Sequence, residues 1–310
     1  MTHERKDKVW FAFLAGGLGD ALACLVSHPM DVAKVRLQLK GELSPIPQPN
    51  GIRNILRTLR SIYVTDGVTR GLYCGLSAAI LRQLTFSSLR HGIFGFIQNS
   101  WINEYKTPMP LGIQVISGAC IGAMCACIAN PCDVVLIRMQ ADGHWSINER
   151  RNYRHVFHGF QSILLTEGYQ CLWRGWNATM IRGILVTCSQ LPAYHTSKYY
   201  LVRSGYFTAS DSGTHLLSSI ISAVVASLVT CPADVIKTRL MNMKRNQSPL
   251  QQQQSIVYDG VKDCMIRIYR TEGVRGFYKG LGATIGRLGP HTIVLWQIQE
   301  FVLNLLRKTA

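Results

Sequence analysis

Long apolar stretches alternate along the chain with shorter amphipathic ones in a fixed order. The apolar stretches are Trp10–Ser27, Leu76–Gln98, Leu111–Asn130, Ala178–Leu201, Ser212–Cys231 and Leu281–Leu306. No Asp, Glu, Lys or Arg lies between Leu111 and Cys132, a run long enough for a helix to cross a bilayer. The first stretch is interrupted only by Asp20. Small residues spaced by four, Gly118–Gly122 and Ser222–Ala226, let helix backbones approach closely in lipid. Within each pair of stretches comes a polar loop and then apolar residues at helical spacing, such as Ile52, Ile55, Leu56, Leu59 and Ile62. The pattern predicts an all-α membrane protein with six spans and a short surface helix between the two spans of each pair.

The pairs are copies of one unit. HPMDVAKVRLQ, NPCDVVLIRMQ and CPADVIKTRLM place prolines at Pro29, Pro131 and Pro232, spaced by 102 and 101 residues. A second motif follows each: DGVTRGLYCG at 66–75, EGYQCLWRG at 167–175 and EGVRGFYKG at 272–280. Seven residues after each last glycine stands an arginine: Arg82, Arg182 and Arg287. Three repeats are expected, over 1–104, 105–208 and 209–310, joined by polar linkers near Glu104–Pro108 and Thr208–Gly213. The low-complexity segment Ser248–Ser255 lengthens the third repeat's internal loop.

Charge and cysteine usage narrow the class. Against 33 Lys+Arg stand 17 Asp+Glu, a formal net charge of +16, while only 16 % of the 310 residues are charged. Such a balance suits anionic lipid or nucleic acid. The basic residues are tied to apolar repeats rather than to a stripe with stacking aromatics, which argues against nucleic acid. The ten cysteines form no CxxC pair and no Cys/His set with zinc spacing, so they read as small apolar fillers, and no metal or cofactor is expected. No hydrolase, nucleotide-loop or dinucleotide fingerprint occurs, which argues against an enzyme. Residues Met1–Lys8 are polar and do not read as a signal peptide.

The proline motif has a physical logic. Proline inside a helix removes one backbone hydrogen bond and kinks it, which assigns Pro29, Pro131 and Pro232 as kinks. Asp31 and Lys34, and Asp234 and Lys237, lie three residues apart, on nearly one face. Charges inside a membrane must face water or each other. With three symmetric units, the economical arrangement is a ring in which the Asp of one helix meets the Lys of the next, closing one end of a water-filled cavity. Arg82, Arg182 and Arg287 recur at equivalent places on the second span of each unit, and three guanidiniums facing one cavity call for an anion, best a carboxylate. Arg90 lies two turns after Arg82, His291 one turn after Arg287, and Gln190 about two turns after Arg182.

These repeated residues resemble the mitochondrial carrier family, over essentially the whole chain. The resemblance implies six transmembrane helices in a pseudo-threefold barrel, alternating access to one central site, no cofactor, a monomer, and the mitochondrial inner membrane. It implies a matrix gate of Lys34 with Asp133 and Lys237 with Asp31, leaving Asp234 without its usual partner because Leu136 replaces a cation. The family's glutamine brace falls on Gln38 and Gln140, with Met241 at the third place. The cytosolic gate reduces to Lys198 with Glu300. Cardiolipin is implied at the glycine turns ending in Gly75, Gly175 and Gly280, whose following helix N-termini favour phosphate.

The branch resembled is that of the dicarboxylate carriers, the oxoglutarate/malate carriers and the uncoupling proteins. GLSAAILRQLTFSSLR at 75–90, RGILVTCSQLPAY at 182–194 and RLGPHT at 287–292 look like the first; DVVLIRMQADG at 133–143, with its Leu136, looks like the second. Phe86 stands where these relatives commonly carry tyrosine. The expectation is exchange of a dicarboxylate such as malate or succinate for phosphate or another dicarboxylate; the alternatives are an oxoglutarate/malate exchanger and an uncoupling-like proton or anion transporter. The expected substrate site is Arg82, Arg182, Arg287, Arg90, Gln190, Phe86 and His291. Asp20 shares a helix face with Asp31 and reads either as a proton or cation site or as a hydrogen-bonding residue. His28 and His195 lie near the gates, and each reads either as a group titrating near neutral pH with a role in transport or as an ordinary hydrogen-bonding residue.

Overall fold

The computed structural model describes residues 2–40, 42, 52–107, 109–145, 150–204, 208, 212–243 and 258–287. The first repeat holds α1 (Thr2–Leu39), α2 (Ile52–Asp66) and α3 (Leu76–Tyr105). The second holds α4 (Leu111–Ala141), α5 (Val156–Thr166) and α6 (Trp176–Arg203), and the third α7 (Ser212–Asn242), α8 (Val261–Glu272) and α9, described over 281–287. No strand occurs among the described residues. His291, Glu300 and the Ser248–Ser255 segment lie outside them.

Long helices pack in chain order: α1 on α3, α3 on α4, α4 on α6, and α6 on α7. The odd members α1, α4 and α7 also meet one another, and α9 closes the ring through Arg287 on Asp31. Their outer faces carry exposed Leu22, Val26, Ile116, Ile128, Ile220 and Val229. Such a girdle of large apolar side chains belongs in lipid, not in water. The inner contacts use small residues: a Cβ on Gly183 would stand 3.2 Å from the Gly122 carbonyl oxygen. Pro29, Pro131 and Pro232 lie within unbroken helices. By length and hydropathy alone, Leu111–Ala141 and Gly213–Asn242 qualify as spans among the described residues. The other long helices carry ionisable residues for the interior, which dilute the signal.

Each surface helix ends at a glycine with positive φ: Gly67 at 75°, Gly168 at 82° and Gly273 at 65°. A short tight turn follows, then a second left-handed glycine, Gly75, Gly175 or Gly280, from which the even helix starts. These second glycines are required twice over. L-residues avoid this conformation. Added Cβ atoms would also lie 3.1 Å from Met139 Cβ, 3.2 Å from Met241 Cγ and 3.0 Å from Gln38 Cγ respectively. Each repeat thus rests its glycine turn on the next repeat's odd helix, at or beside the brace position.

One arginine staples each repeat's two motifs together. Arg36 donates to Asp66 at 2.8 Å; Arg138 grips Glu167 with both Nη atoms at 2.6 and 3.0 Å; Arg239 grips Glu272 at 2.7 and 2.9 Å. Arg138 and Arg239 are fully buried. Between repeats, Arg150 reaches Asp66 at 2.8 Å and Arg151 reaches the Asn242 side chain and carbonyl at 2.9 and 2.7 Å. Burial of Arg151, with Arg138 nearby, lowers its pKa to about 10, so it remains charged at neutral pH.

A buried bidentate pair is costly to break from one side. Glu167→Gln should destabilise the protein by about 3 kcal/mol, seen as a lower thermal midpoint in detergent. Joint replacement of Arg138 and Glu167 by Met and Leu should recover most of the loss. Burial alone would raise the Glu167 pKa, but Arg138 overrides it and the net shift is downward. Stability from this pair is therefore complete above the ordinary glutamate range and is lost as pH falls through the lowered value. A thermal midpoint independent of pH below about 4.3, the unperturbed glutamate value, would contradict this.

Candidate functional site

Where the odd helices converge, three aspartates share one layer with five cations. Asp133 accepts from Lys237 Nζ at 2.7 Å and from Arg82 Nε at 2.6 Å. Asp234 accepts from Lys34 Nζ at 2.5 Å and from Arg182 Nε. Asp31 accepts from Arg287 Nη1 at 2.8 Å. The arrangement repeats cyclically, since in every case the arginine of an even helix meets the aspartate of the following odd helix. A carboxylate in a low-dielectric interior is tolerable only with such partners.

This corrects the expected gate in two ways. Lys34 pairs with Asp234 rather than Asp133, and Lys237 with Asp133 rather than Asp31. The ring runs in the opposite sense, so Leu136 is the missing partner of Asp31, not of Asp234. The motif's spacing sets which helix face the charges occupy. The crossing of the helices decides which neighbour they reach. The sequence places the arginine trio for substrate, yet all three guanidiniums hold the ring's aspartates here.

Counting lysines and arginines against aspartates, this layer of the described residues has an excess of two positive charges. Phe86 lies beneath Arg82, with the guanidinium carbon 5.5 Å from the ring centroid. A cavity of about 310 Å³ is lined by Arg90, Phe94, Thr187, Gln190, Tyr194 and Ser222 among others. Arg90 and Gln190 thus line one cavity. Asp20 acts electrostatically on Arg90, so that pair leaves the excess unchanged.

The braces behave unequally. Gln38 is fully buried and its Oε1 accepts from Thr238 Oγ1 at 2.8 Å, tying α1 to α7. Gln140 is buried against Gly75, and Met241 fills the third place with no exposed surface. At the other end of the barrel, Lys198 Nζ lies 3.3 Å from His215 Nε2. Lysine has only donors, so Nε2 accepts, and Nδ1 carries the hydrogen that it donates to Tyr194 Oη at 2.6 Å. The reading of Lys198 with Glu300 missed His215, which lies one helix further along and belongs to no repeated motif. The Arg36–Asp66, Arg138–Glu167 and Arg239–Glu272 staples were also missed. Their signal was present as an Arg and an acid at near-constant separation in all three repeats.

The sequence profile of the mitochondrial carrier protein family matches residues 5–105, 107–205 and 209–310. A probable mitochondrial 2-oxoglutarate/malate carrier protein of Dictyostelium discoideum is 39 % identical, covering 96 % of this chain and 90 % of its own length. Mitochondrial uncoupling protein 5 of Arabidopsis thaliana is 35 % identical, covering 95 % and 97 %. The mitochondrial 2-oxoglutarate/malate carrier protein of Bos taurus is 34 % identical, covering 93 % and 88 %. A threefold repeat of helix pairs around a buried charge ring agrees with these matches. The chain belongs to the mitochondrial carrier protein family and is a multi-pass transporter of the mitochondrial inner membrane, not an enzyme.

Proposed function

We propose that this carrier exchanges dicarboxylates, malate against a second dicarboxylate of the 2-oxoglutarate kind, by alternating access. The supporting observation is the excess of two positive charges in the ring, which one dianion would neutralise. The relatives named for 2-oxoglutarate and malate favour that counter-substrate. Hydrogenphosphate is also a dianion near neutral pH, and phosphate exchange is the second reading.

Substrate carboxylates compete with Asp31, Asp133 and Asp234 for the guanidiniums of Arg287, Arg82 and Arg182. Arg90 and Gln190 orient the other end of the molecule. An aspartate that loses its arginine is held by lysine alone, or in the case of Asp31 by neither, so substrate binding loosens the gate. Binding energy thereby offsets the parting of Lys34–Asp234 and Lys237–Asp133, and an empty carrier stays closed. The protein works as a monomer. Cardiolipin headgroups take the amides that begin α3, α6 and α9, behind Gly75, Gly175 and Gly280. Support comes from left-handed glycine N-caps with no side-chain cap at Gly75 and Gly175.

In liposomes containing the protein, labelled malate uptake should require internal 2-oxoglutarate and be absent from empty vesicles. Uptake driven by phosphate alone would select the second reading, and no exchange with either would favour uncoupling-like transport. Arg182→Ala removes one charged hydrogen-bond donor and should slow exchange about 10- to 100-fold. Wild-type exchange in that variant would defeat the site assignment. Leu136→Lys supplies the missing partner of Asp31, adds a gate pair to be parted in every cycle and raises the excess to three. Exchange should slow about tenfold, the equivalent of roughly 1.4 kcal/mol; faster exchange would contradict the gate.

A further inference from the structure

Cys24, His28 and Asp31 follow one another at helical spacing along one face of α1, and their ligand atoms all lie within 4.8 Å of one another. Cys24 and His28 are buried, whereas Asp31 keeps 17 % of its side chain accessible. The imidazole is already oriented. Its Nε2 lies 2.9 Å from the Cys74 carbonyl oxygen, an acceptor only, so Nε2 carries the hydrogen and donates it. The ring also lies parallel to Tyr73, centroids 6.1 Å apart. Among the described residues its Nδ1 is buried without a hydrogen-bond partner. An unpartnered nitrogen lone pair in a fully buried ring is costly. A histidine whose other nitrogen donates to a backbone carbonyl is the usual posture of a metal ligand.

We propose that Cys24, His28 and Asp31 form a binding site for a divalent transition-metal ion of the zinc class. The donor set of one thiol, one imidazole and one carboxylate suits a borderline metal and not magnesium or calcium, which take oxygen ligands. Tetrahedral zinc with bonds of about 2.0–2.3 Å holds its ligands closer together than 4.8 Å, so the side chains close in by about 1 Å. On binding, the Cys24 S–H bond breaks, the proton leaves to solvent, and the sulfur–metal bond forms. The thiolate and the Asp31 carboxylate offset the charge of the ion, and because Asp31 already counts against Arg287, the excess of the layer rises from two to three. Asp31 has two oxygens, so it serves the metal while Oδ1 accepts from Arg287. Three protein ligands leave a fourth position for water or an anionic oxygen. Such an ion stands beside Asp31, which among the described residues pairs with no lysine. The sequence showed no zinc spacing because the third ligand is the aspartate of the repeated motif rather than another cysteine or histidine.

The test uses the full-length protein in detergent, titrated with Co²⁺ as the spectroscopic probe and Zn²⁺ as competitor. One equivalent of Co²⁺ should bind with a near-ultraviolet thiolate charge-transfer band that Zn²⁺ removes. Cys24→Ser should abolish the band and weaken Zn²⁺ binding more than tenfold, at least the loss that removing an outer-shell partner brings. An unchanged thermal midpoint of the metal-free Cys24→Ser protein separates this from misfolding. His28→Gln, which keeps the thiol, should weaken Zn²⁺ binding by a similar factor. Serine at the exposed Cys120 and Cys188 should leave the band in place. No thiolate band, a band that survives in Cys24→Ser, or unchanged Zn²⁺ affinity in His28→Gln would each overturn the site. The readout is independent of which anion the carrier moves.

Discussion

Two buried carboxylates and a third, half-buried one, where three helices converge inside a membrane protein, set the terms for everything around them. Neither Asp133 nor Asp234 reaches water freely, and each is matched by two cations drawn from two different helices. An ion pair in such a place gains little net stability, because desolvation consumes much of the attraction. It gains direction instead, since a carboxylate stripped of its partners has nowhere to go. The helices must therefore cross where the charges meet.

That constraint propagates outward through the repeat. The arginine two residues after each lysine position leaves the ring and turns to the acid at the end of the surface helix. The acid precedes a left-handed glycine, which turns the chain. The turn ends at a second left-handed glycine that packs on the next repeat's odd helix, within four residues of the lysine position. Ring, staple and glycine turn are thus contiguous contacts within each repeat and onto the next. The glycines accordingly have a packing reason to be glycine apart from any lipid they meet.

Leu136 breaks the symmetry of this scheme. Among the described residues it leaves Asp31 on a single arginine and sets the charge excess of the layer at two. The same aspartate lies on the helix face of Cys24 and His28. One hydrophobic substitution in a threefold motif thus marks the side of the ring where its electrostatics differ most from the other two.

The repeats, the helix pairs, the charged faces and the arginine trio were legible in the sequence, because each follows from periodicity along one helix or from recurrence between repeats. The lysine–aspartate pairing was not legible. Spacing within α1 or α7 places Lys34 and Lys237 on a face, whereas the crossing of α1, α4 and α7 chooses the aspartate each one reaches. The same holds for Lys198 and His215, which meet only because α6 packs on α7. His28, a titrating or hydrogen-bonding residue by sequence, becomes a poised ligand only once the Cys74 carbonyl has fixed its tautomer. Local sequence determined what each helix offers; the tertiary structure alone decided which offers meet, because contacts between helices depend on crossing geometry that no single helix encodes.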